Sequence, residues 1–256
     1  MISAVIFDLD GTLVETEEIK AISHARSVME LNPEISEEEV ISAYSDLVGH
    51  SRREVAEALI SRFGLEDAAR KRAGETGDEE EPWQVLVRIR RGFYEELLKD
   101  SDLLLEKRYP HNIEMLRRMR NAGYPTACAN MSHLRQVRRV LSVLDLEDAF
   151  DVVVTMDDVE RGKPEPEIDL LVASKMGLPP EEFLVVEDSY AGVRAGVAAG
   201  MSVVAVPTDI TRKGIHTLHV LDPRWVVEDP ERLSDIVHQR IEDAGGRRAE
   251  NGRALR

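Results

Sequence analysis

Ile2-Ser3-Ala4-Val5-Ile6-Phe7-Asp8-Leu9-Asp10-Gly11-Thr12 runs from an aliphatic stretch straight into two aspartates and a glycine. The apolar run over 2–7 predicts a short, buried β-strand. Side-chain alternation then directs Asp8 and Asp10 the same way, with Leu9 turned back toward the core. Gly11 permits a sharp turn, and Thr12 brings a hydroxyl and a backbone N–H beside the acids. Two neighbouring carboxylates repel each other, so the pair points to a bound cation or to proton transfer. Taken alone, Asp-x-Asp also fits a polar loop that opens after a strand.

Outward from that strand the period changes, and it stays helical for about eighty residues. Ile19, Ile22, Arg26 and Met29 fall at helical spacing, as do Val55, Leu59 and Phe63. Ser36 with Glu39 and Ser51 with Glu54 have the spacing of capping boxes. The segment 74–81 (GETGDEEE) is an acidic loop, and a helix over 82–99 carries Leu86, Ile89, Phe93 and Leu97 on one face. From Pro110 onward helix and strand alternate, with strands expected over 125–129, 150–155, 183–187 and 202–206. Such alternation predicts an α/β fold, a Rossmann-like parallel sheet covered on both faces. The helical block interrupts that domain between its first and second strands. The expected organisation is a core of residues 1–15 and 100–243, an inserted helical unit over 16–99 and a flexible, Gly-rich tail over 244–256. An insert there is expected to act as a lid over the carboxyl ends of the strands, where ligands bind in open α/β sheets.

A chain of 256 residues can bury a full core, and 43% hydrophobic residues suit a globular protein. A net charge of −16 argues against nonspecific binding to nucleic acid or to anionic membranes, both of which reward basic patches. The single cysteine, Cys128, can form no internal disulfide, which suits a reducing compartment. No apolar stretch approaches the roughly 20 residues of a membrane helix. The N-terminus begins directly on a core strand and leaves no room for a signal peptide. The expectation is a soluble, cytoplasmic protein, a monomer or small homo-oligomer with no nucleic-acid or membrane partner.

Each expected strand ends in polar chemistry. The first ends at Asp8 and the second at Asn130-Met131-Ser132. A loop with Asp157, Asp158, Arg161 and Lys163 follows the third, and the fourth ends at Glu187-Asp188-Ser189. In a parallel sheet these ends share one edge, so carboxylates, a lysine and hydrogen-bond donors converge. Such a set suits magnesium and a phosphate: Mg²⁺ takes one or two carboxylates plus phosphate and water, and an ammonium with backbone N–H groups neutralises the remaining oxygens. Pro164 and Pro166 stiffen the segment between Lys163 and a following helix, which limits where the lysine points. Beyond Asp188, 189–196 is a helix start rich in small residues. Glycine costs about 1 kcal/mol in a helix interior, so Gly192 and Gly196 suggest close packing against the sheet.

Three motifs, DLDGT at 8–12, GKPEP at 162–166 and VVEDSYAGVRAG at 185–196, occur in that order. Together they resemble the haloacid dehalogenase (HAD) superfamily, in the capped group that includes β-phosphoglucomutase and phosphoglycolate phosphatase. The resemblance extends from residue 1 to near residue 240. It implies that Asp8 attacks a substrate phosphorus to give an aspartyl-phosphate. It also implies that Asp10 protonates the leaving alkoxide and then deprotonates the hydrolytic water. Mg²⁺ would be held by the Asp8 carboxylate, the Asp10 backbone carbonyl and Asp188, with Glu187 reaching it through water. Lys163 would pair with Asp8 and the phosphoryl group. Phosphate contacts would come from Leu9, Gly11, Thr12, Asn130, Met131, Ser132 and Lys163, and substrate contacts on the helical unit from Arg52, Lys20 and Glu17. The implied activity is hydrolysis of a small phosphorylated metabolite, a sugar phosphate or phosphoglycolate.

Asn130 stands where the family usually has Ser or Thr; its side-chain N–H can make the same hydrogen bond, or Ser132 takes over. Glu15-Thr16 is a conservative departure just after the first motif. Asp10 with Glu187 and Asp188 argues against the dehalogenase and phosphonatase branches, and Lys20 is the only lysine nearby for a phosphonatase Schiff base. A mutase is the nearer rival, because Gly49-His50-Ser51-Arg52 resembles the segment whose arginine grips a distal phosphate. Lys20, however, stands where mutases carry a histidine, and His24, one turn on, reads as an ordinary helix-face residue. A regulatory module that kept the fold and lost turnover is the third reading, and only Asn130 speaks for it.

Overall fold

The computed structural model of the protein describes residues 1–45, 47, 51–76, 79–217 and 219–254. Among the described residues, five strands form one sheet: β1 (Ala4–Phe7), β2 (Thr126–Asn130), β3 (Val152–Thr155), β4 (Phe183–Glu187) and β5 (Ser202–Ala205). Their order is β3-β2-β1-β4-β5, and every pairing is parallel. β1, β2, β4 and β5 are buried along their whole length, as expected where helices cover a parallel sheet. The strand order reverses at β1, which lies between β2 and β4; Phe7 is in register with Cys128 on one side and Val186 on the other. Asp8, Asn130 and Glu187 therefore emerge at one edge, at the switch point where such sheets bind ligands.

The helices are α1 (Thr16–Leu31), α2 (Glu37–Ser45), α3 (Arg52–Phe63), α4 (Glu66–Thr76), α5 (Pro82–Leu97), α6 (Ser101–Glu106), α7 (Pro110–Asn121), α8 (Leu134–Val143), α9 (Glu167–Met176), α10 (Tyr190–Ala198), α11 (Arg212–His216) and α12 (Leu233–Ala254). The chain divides into two compact units, Met1–Glu15 with Leu104–Arg256, and Thr16–Leu103. In the first, α7, α9, α10 and α12 pack against the sheet. Among its described residues the second has helices and no strand: α1 packs on α2 and α5, and α5 also receives α3 and α4. It has its own apolar core, with Ala25, Val28, Val40, Leu59 and Leu86 buried together. None of the described helices is long and apolar enough to cross a membrane.

Both capping boxes form. Ser51 Oγ accepts from Glu54 N while Glu54 returns to Ser51 N, and Ser36 and Glu39 do the same. Other expectations need correction. On α1 Ile19 is buried but Arg26 is exposed; the small residues Ala21, Ser23, Ala25 and Ser27 are buried instead, which lets α2 and α5 crowd around the helix. His24 is no simple helix-face residue, being buried and stacked on Tyr44 with ring centroids 4.7 Å apart. The acidic stretch begins as helix, since α4 runs to Thr76; Gly77 and Asp78 lie outside the described residues. Glu80 makes a two-pronged contact to Arg88, and Glu81 caps α5. Past residue 243 the backbone is helical to Ala254. Gly245 and Gly246 weaken a helix by about 1 kcal/mol each without breaking it as proline would.

Candidate active site

Asp8 is the first residue past β1, and its backbone N–H donates to Val186 O at 3.0 Å, tying the loop to β4. Lys163 meets it from the loop between β3 and α9. The Lys163 ammonium donates to Asp8 Oδ1 (2.8 Å), Glu187 Oε2 (2.7 Å) and Ala129 O (2.9 Å), so all three of its protons are placed. The lysine side chain is only 6% exposed. Burial works against its charge, but Asp8, Glu187 and Asp169 outweigh that penalty and hold its pKa above the ordinary lysine value. Burial also raises the Asp8 carboxyl well above the usual range; the charge of Glu187 adds to the rise and Lys163 opposes it.

The other acids come from the end of β4. Glu187, 1% exposed, accepts from Ser189 N and Oγ through Oε1 while Oε2 holds Lys163. Ser189 in turn caps α10, accepting from Gly192 N at 3.0 Å. Gly192 packs closely on the end of β4, as its small size suggests. A Cβ there would lie 2.0 Å from Glu187 Cδ, so its bare backbone makes room for that carboxylate, and Gly196 faces Val185 and Val203 of the sheet. Asp188 accepts from Thr12 Oγ1 at 3.4 Å. Gly11 takes the left-handed φ of +84°, and a Cβ on it would fall 2.4 Å from Asp188 Oδ2. Both the turn and the closeness of that acid require glycine there. Asp8, Glu187 and Asp188 each present an oxygen within 4.8 Å of the others. Three buried carboxylates against one ammonium leave excess negative charge, which suits a hard cation.

A second polar group lies at the end of β2. Ser132 Oγ donates to Asp10 Oδ2 at 2.5 Å, and Asn130 Oδ1 accepts from Asp10 N at 3.5 Å. Asn130 Nδ2 is buried without a hydrogen-bond partner. An orphaned buried donor is costly, so it marks where an oxygen ligand would be welcome. Leu9 is fully buried, leaving only its backbone for a phosphate, and Met131 packs over Gly162 beside Lys163.

Of the loop after β3, only Lys163 joins this group. Asp157 caps α8 through Leu134 N and pairs with His133, Asp158 bonds the Thr155 backbone and hydroxyl, and Arg161 pairs with Glu167. Local helix and turn termini take those charges, so they do not converge with Asp8 as expected. In the helical unit, Lys20 Nζ and Tyr44 OH both donate to Glu17, at 2.6 and 2.9 Å. Arg90 Nε donates to Ser23 Oγ at 3.0 Å and its guanidinium lies over Tyr94. Arg52 opens α3 on an exposed turn, and Gly49 and His50 lie outside the described residues. Sequence reading missed Asp169, buried on α9 with neither carboxylate oxygen hydrogen-bonded and its pKa pushed up to about 6 by burial, against the pull of Lys163. The signal was present: Asp169 lies three and four residues before the apolar Val172 and Ala173, on the face that α9 buries.

The family model of haloacid dehalogenase-like hydrolases matches residues 5–206. The chain belongs to this family. Its relatives include phosphoglycolate phosphatase of Salmonella typhi, 34% identical over 78% of this chain and 79% of that protein. Pyrophosphatase PpaX of Bacillus velezensis is 28% identical over 93% and 95%, and a phosphorylated carbohydrates phosphatase of Thermotoga maritima 30% over 77% and 82%. Among solved structures, CbbY of Rhodobacter sphaeroides with xylulose-(1,5)bisphosphate is 25% identical at a TM-score of 0.59, covering 83% of this chain and 89% of that one. β-Phosphoglucomutase of Clostridium difficile, 21% identical, shares the fold at a TM-score of 0.69 over 95% and 98%. This HAD hydrolase is an enzyme of the phosphatase class.

Proposed function

We propose that this hydrolase cleaves a phosphate monoester of a small metabolite, a sugar phosphate or phosphoglycolate, through an aspartyl-phosphate on Asp8. The contact that carries the reading is the 2.8 Å pair of Lys163 Nζ with Asp8 Oδ1, in a buried site where every ammonium proton is committed. A carboxylate fixed beside such a cation can attack an anionic phosphoryl group without prohibitive repulsion. An Asp8 oxygen bonds to phosphorus as the bond from phosphorus to the alcohol oxygen breaks. Asp10 gives that oxygen its proton. Asp10 then takes a proton from water, whose oxygen bonds to phosphorus, releasing phosphate and the free Asp8 carboxylate. The orphaned Asn130 Nδ2 donates to a phosphoryl oxygen.

The donor set fits Mg²⁺: hard oxygens, net negative charge, and three acids close together. Asp8, Asp188 and the Asp10 carbonyl would hold it, and Glu187, already engaged by Lys163 and Ser189, would reach it through water. When bound, the ion neutralises phosphoryl charge. The helical unit, with Lys20, Glu17 and Arg52, would supply contacts to the rest of the substrate. The single buried thiol, Cys128, suits a reducing, cytoplasmic setting.

Phosphate release from phosphoglycolate, hexose phosphates and pyrophosphate, with and without Mg²⁺, tests this directly. Mg²⁺-dependent release is expected from one compound or a few, and Asp8→Asn should remove it, by at least about 10³-fold, while the protein stays folded. Wild-type rates in Asp8→Asn would overturn the covalent mechanism. Conversion of β-glucose 1-phosphate to glucose 6-phosphate with little free phosphate would make the chain a mutase.

A further inference from the structure

Ser132 was expected among the phosphate ligands, together with Asn130, but the geometry separates the two. The Ser132 side chain is 7% exposed and its hydroxyl donates to Asp10 Oδ2 at 2.5 Å. A hydroxyl has one proton to give, and here it is directed at Asp10. While it holds Asp10 it has none for a phosphoryl oxygen. Asn130 is in the opposite condition: its oxygen meets the Asp10 backbone N–H, and its buried NH₂ group has no partner. The segment that carries both is tied to the next strand, because Ser132 O accepts from Met156 N at 3.3 Å. Asp10 sits in a tight turn, with Gly11 N bonded to Val14 O at 2.7 Å, and its carboxylate is half-buried.

We infer that Ser132 is a positioning residue, which fixes the Asp10 carboxylate for proton exchange with the leaving group and leaves the phosphoryl contact to Asn130. This assignment rests on the phosphatase reading above. A carboxylate on a short side chain has two torsions to settle, and one strong hydrogen bond from a rigid strand end selects one orientation of them. General acid catalysis depends on that orientation, since a misplacement of about 1 Å can cost 10²-fold in rate. The benefit is also selective. A leaving group that departs as a stable anion needs no proton, so the role of Ser132 should vanish for it.

The test compares kcat/KM for an alkyl phosphate that the wild type hydrolyses and for p-nitrophenyl phosphate, because kcat/KM reports the steps up to departure of the first product. Ser132→Ala should lower kcat/KM by about 10- to 100-fold on the alkyl ester and by less than about threefold on the nitrophenyl ester. Ser132→Thr, which keeps the hydroxyl, should restore most of the alkyl activity. Inhibition by inorganic phosphate should be unchanged in Ser132→Ala and weakened in Asn130→Ala. Equal losses on both esters with weaker phosphate inhibition would make Ser132 a phosphate ligand and overturn the assignment, as would no loss on either. Crystal structures of Ser132→Ala and wild type provide a readout without turnover: an unmoved Asp10 carboxylate would refute the positioning role. A wild type inert toward both esters would refute the phosphatase reading instead, and that crystallographic comparison would still decide what holds Asp10.

Discussion

His24 shows how a single side chain can make one unit of this protein acid-sensitive. Burial lowers its pKa from 6.5 to about 3, and the charges of Arg90 and Lys20 add to the effect. Its ring is stacked on Tyr44 and its buried Nδ1 has no hydrogen-bond partner. The sign follows from linkage. Because the folded pKa is depressed, the unfolded chain binds the proton first, and stability is lost as pH falls from about 6.5 toward about 3. The loss from this one group can reach roughly a few kcal/mol. His24→Phe, which keeps a ring against Tyr44 and cannot titrate, should flatten the acid limb of a plot of urea midpoint against pH. An unchanged limb would assign the acid sensitivity to other groups. At this scale the sequence was only partly legible. Asp8, Lys163 and Asp188 were readable because motifs announce them, whereas the burial of His24 and Asp169 depends on which helix face the neighbours cover. Spacing alone does not record that.

Helix α10 joins a secondary-structure terminus to the chemistry. Its Ser189 cap and the Glu187 carboxylate share hydrogen bonds, and Gly192 leaves the space in which that carboxylate sits. Gly192→Ala would raise intrinsic helix propensity by about 1 kcal/mol, yet its Cβ would fall 2.0 Å from Glu187 Cδ. The collision dominates, because Glu187 is held by Ser189 and Lys163 and cannot yield without disturbing the lysine. The expected outcome is at least a tenfold fall in kcat/KM, roughly what a misplaced catalytic cation costs. Gly245→Ala, where nothing lies within 4 Å of the added carbon, is the matched control and should leave activity intact. Equal activity in the two variants would mean that Glu187 adapts freely. Elements themselves were well foretold: β4 matched end to end, and both capping boxes formed, because these patterns are local in sequence. The errors were of partnership. The face of α1 and the fates of Asp157, Asp158 and Arg161 depend on tertiary neighbours that periodicity does not name.

The whole chain comprises two units with separate cores, and the groups argued to bind Mg²⁺ all belong to the α/β unit, Met1–Glu15 with Leu104–Arg256. This division was foreseeable, since the change from period two to helical spacing and back brackets the insert. Its consequence is thermodynamic. An ion that binds only the folded α/β unit stabilises it by about 2.7 kcal/mol at a hundredfold excess over Kd. That free energy corresponds to a rise in Tm of about 5–11 °C for a chain of this size class. Lys163 alone does not balance the charges of Asp8, Glu187 and Asp188, so removing Mg²⁺ with a chelator should loosen the turn at Gly11 and the start of α10 before the rest of the sheet. Hydrogen exchange read by mass spectrometry can locate the effect. Mg²⁺ should slow exchange in peptides around residues 8–14 and 186–192 and leave those of α2 to α4 unchanged. Asp188→Asn should remove most of the Mg²⁺ dependence. Equal slowing in both units would show that they unfold as one cooperative body. Protection by Mg²⁺ that survives in Asp188→Asn would place the ion elsewhere, and the assignment of these three carboxylates to it would fall.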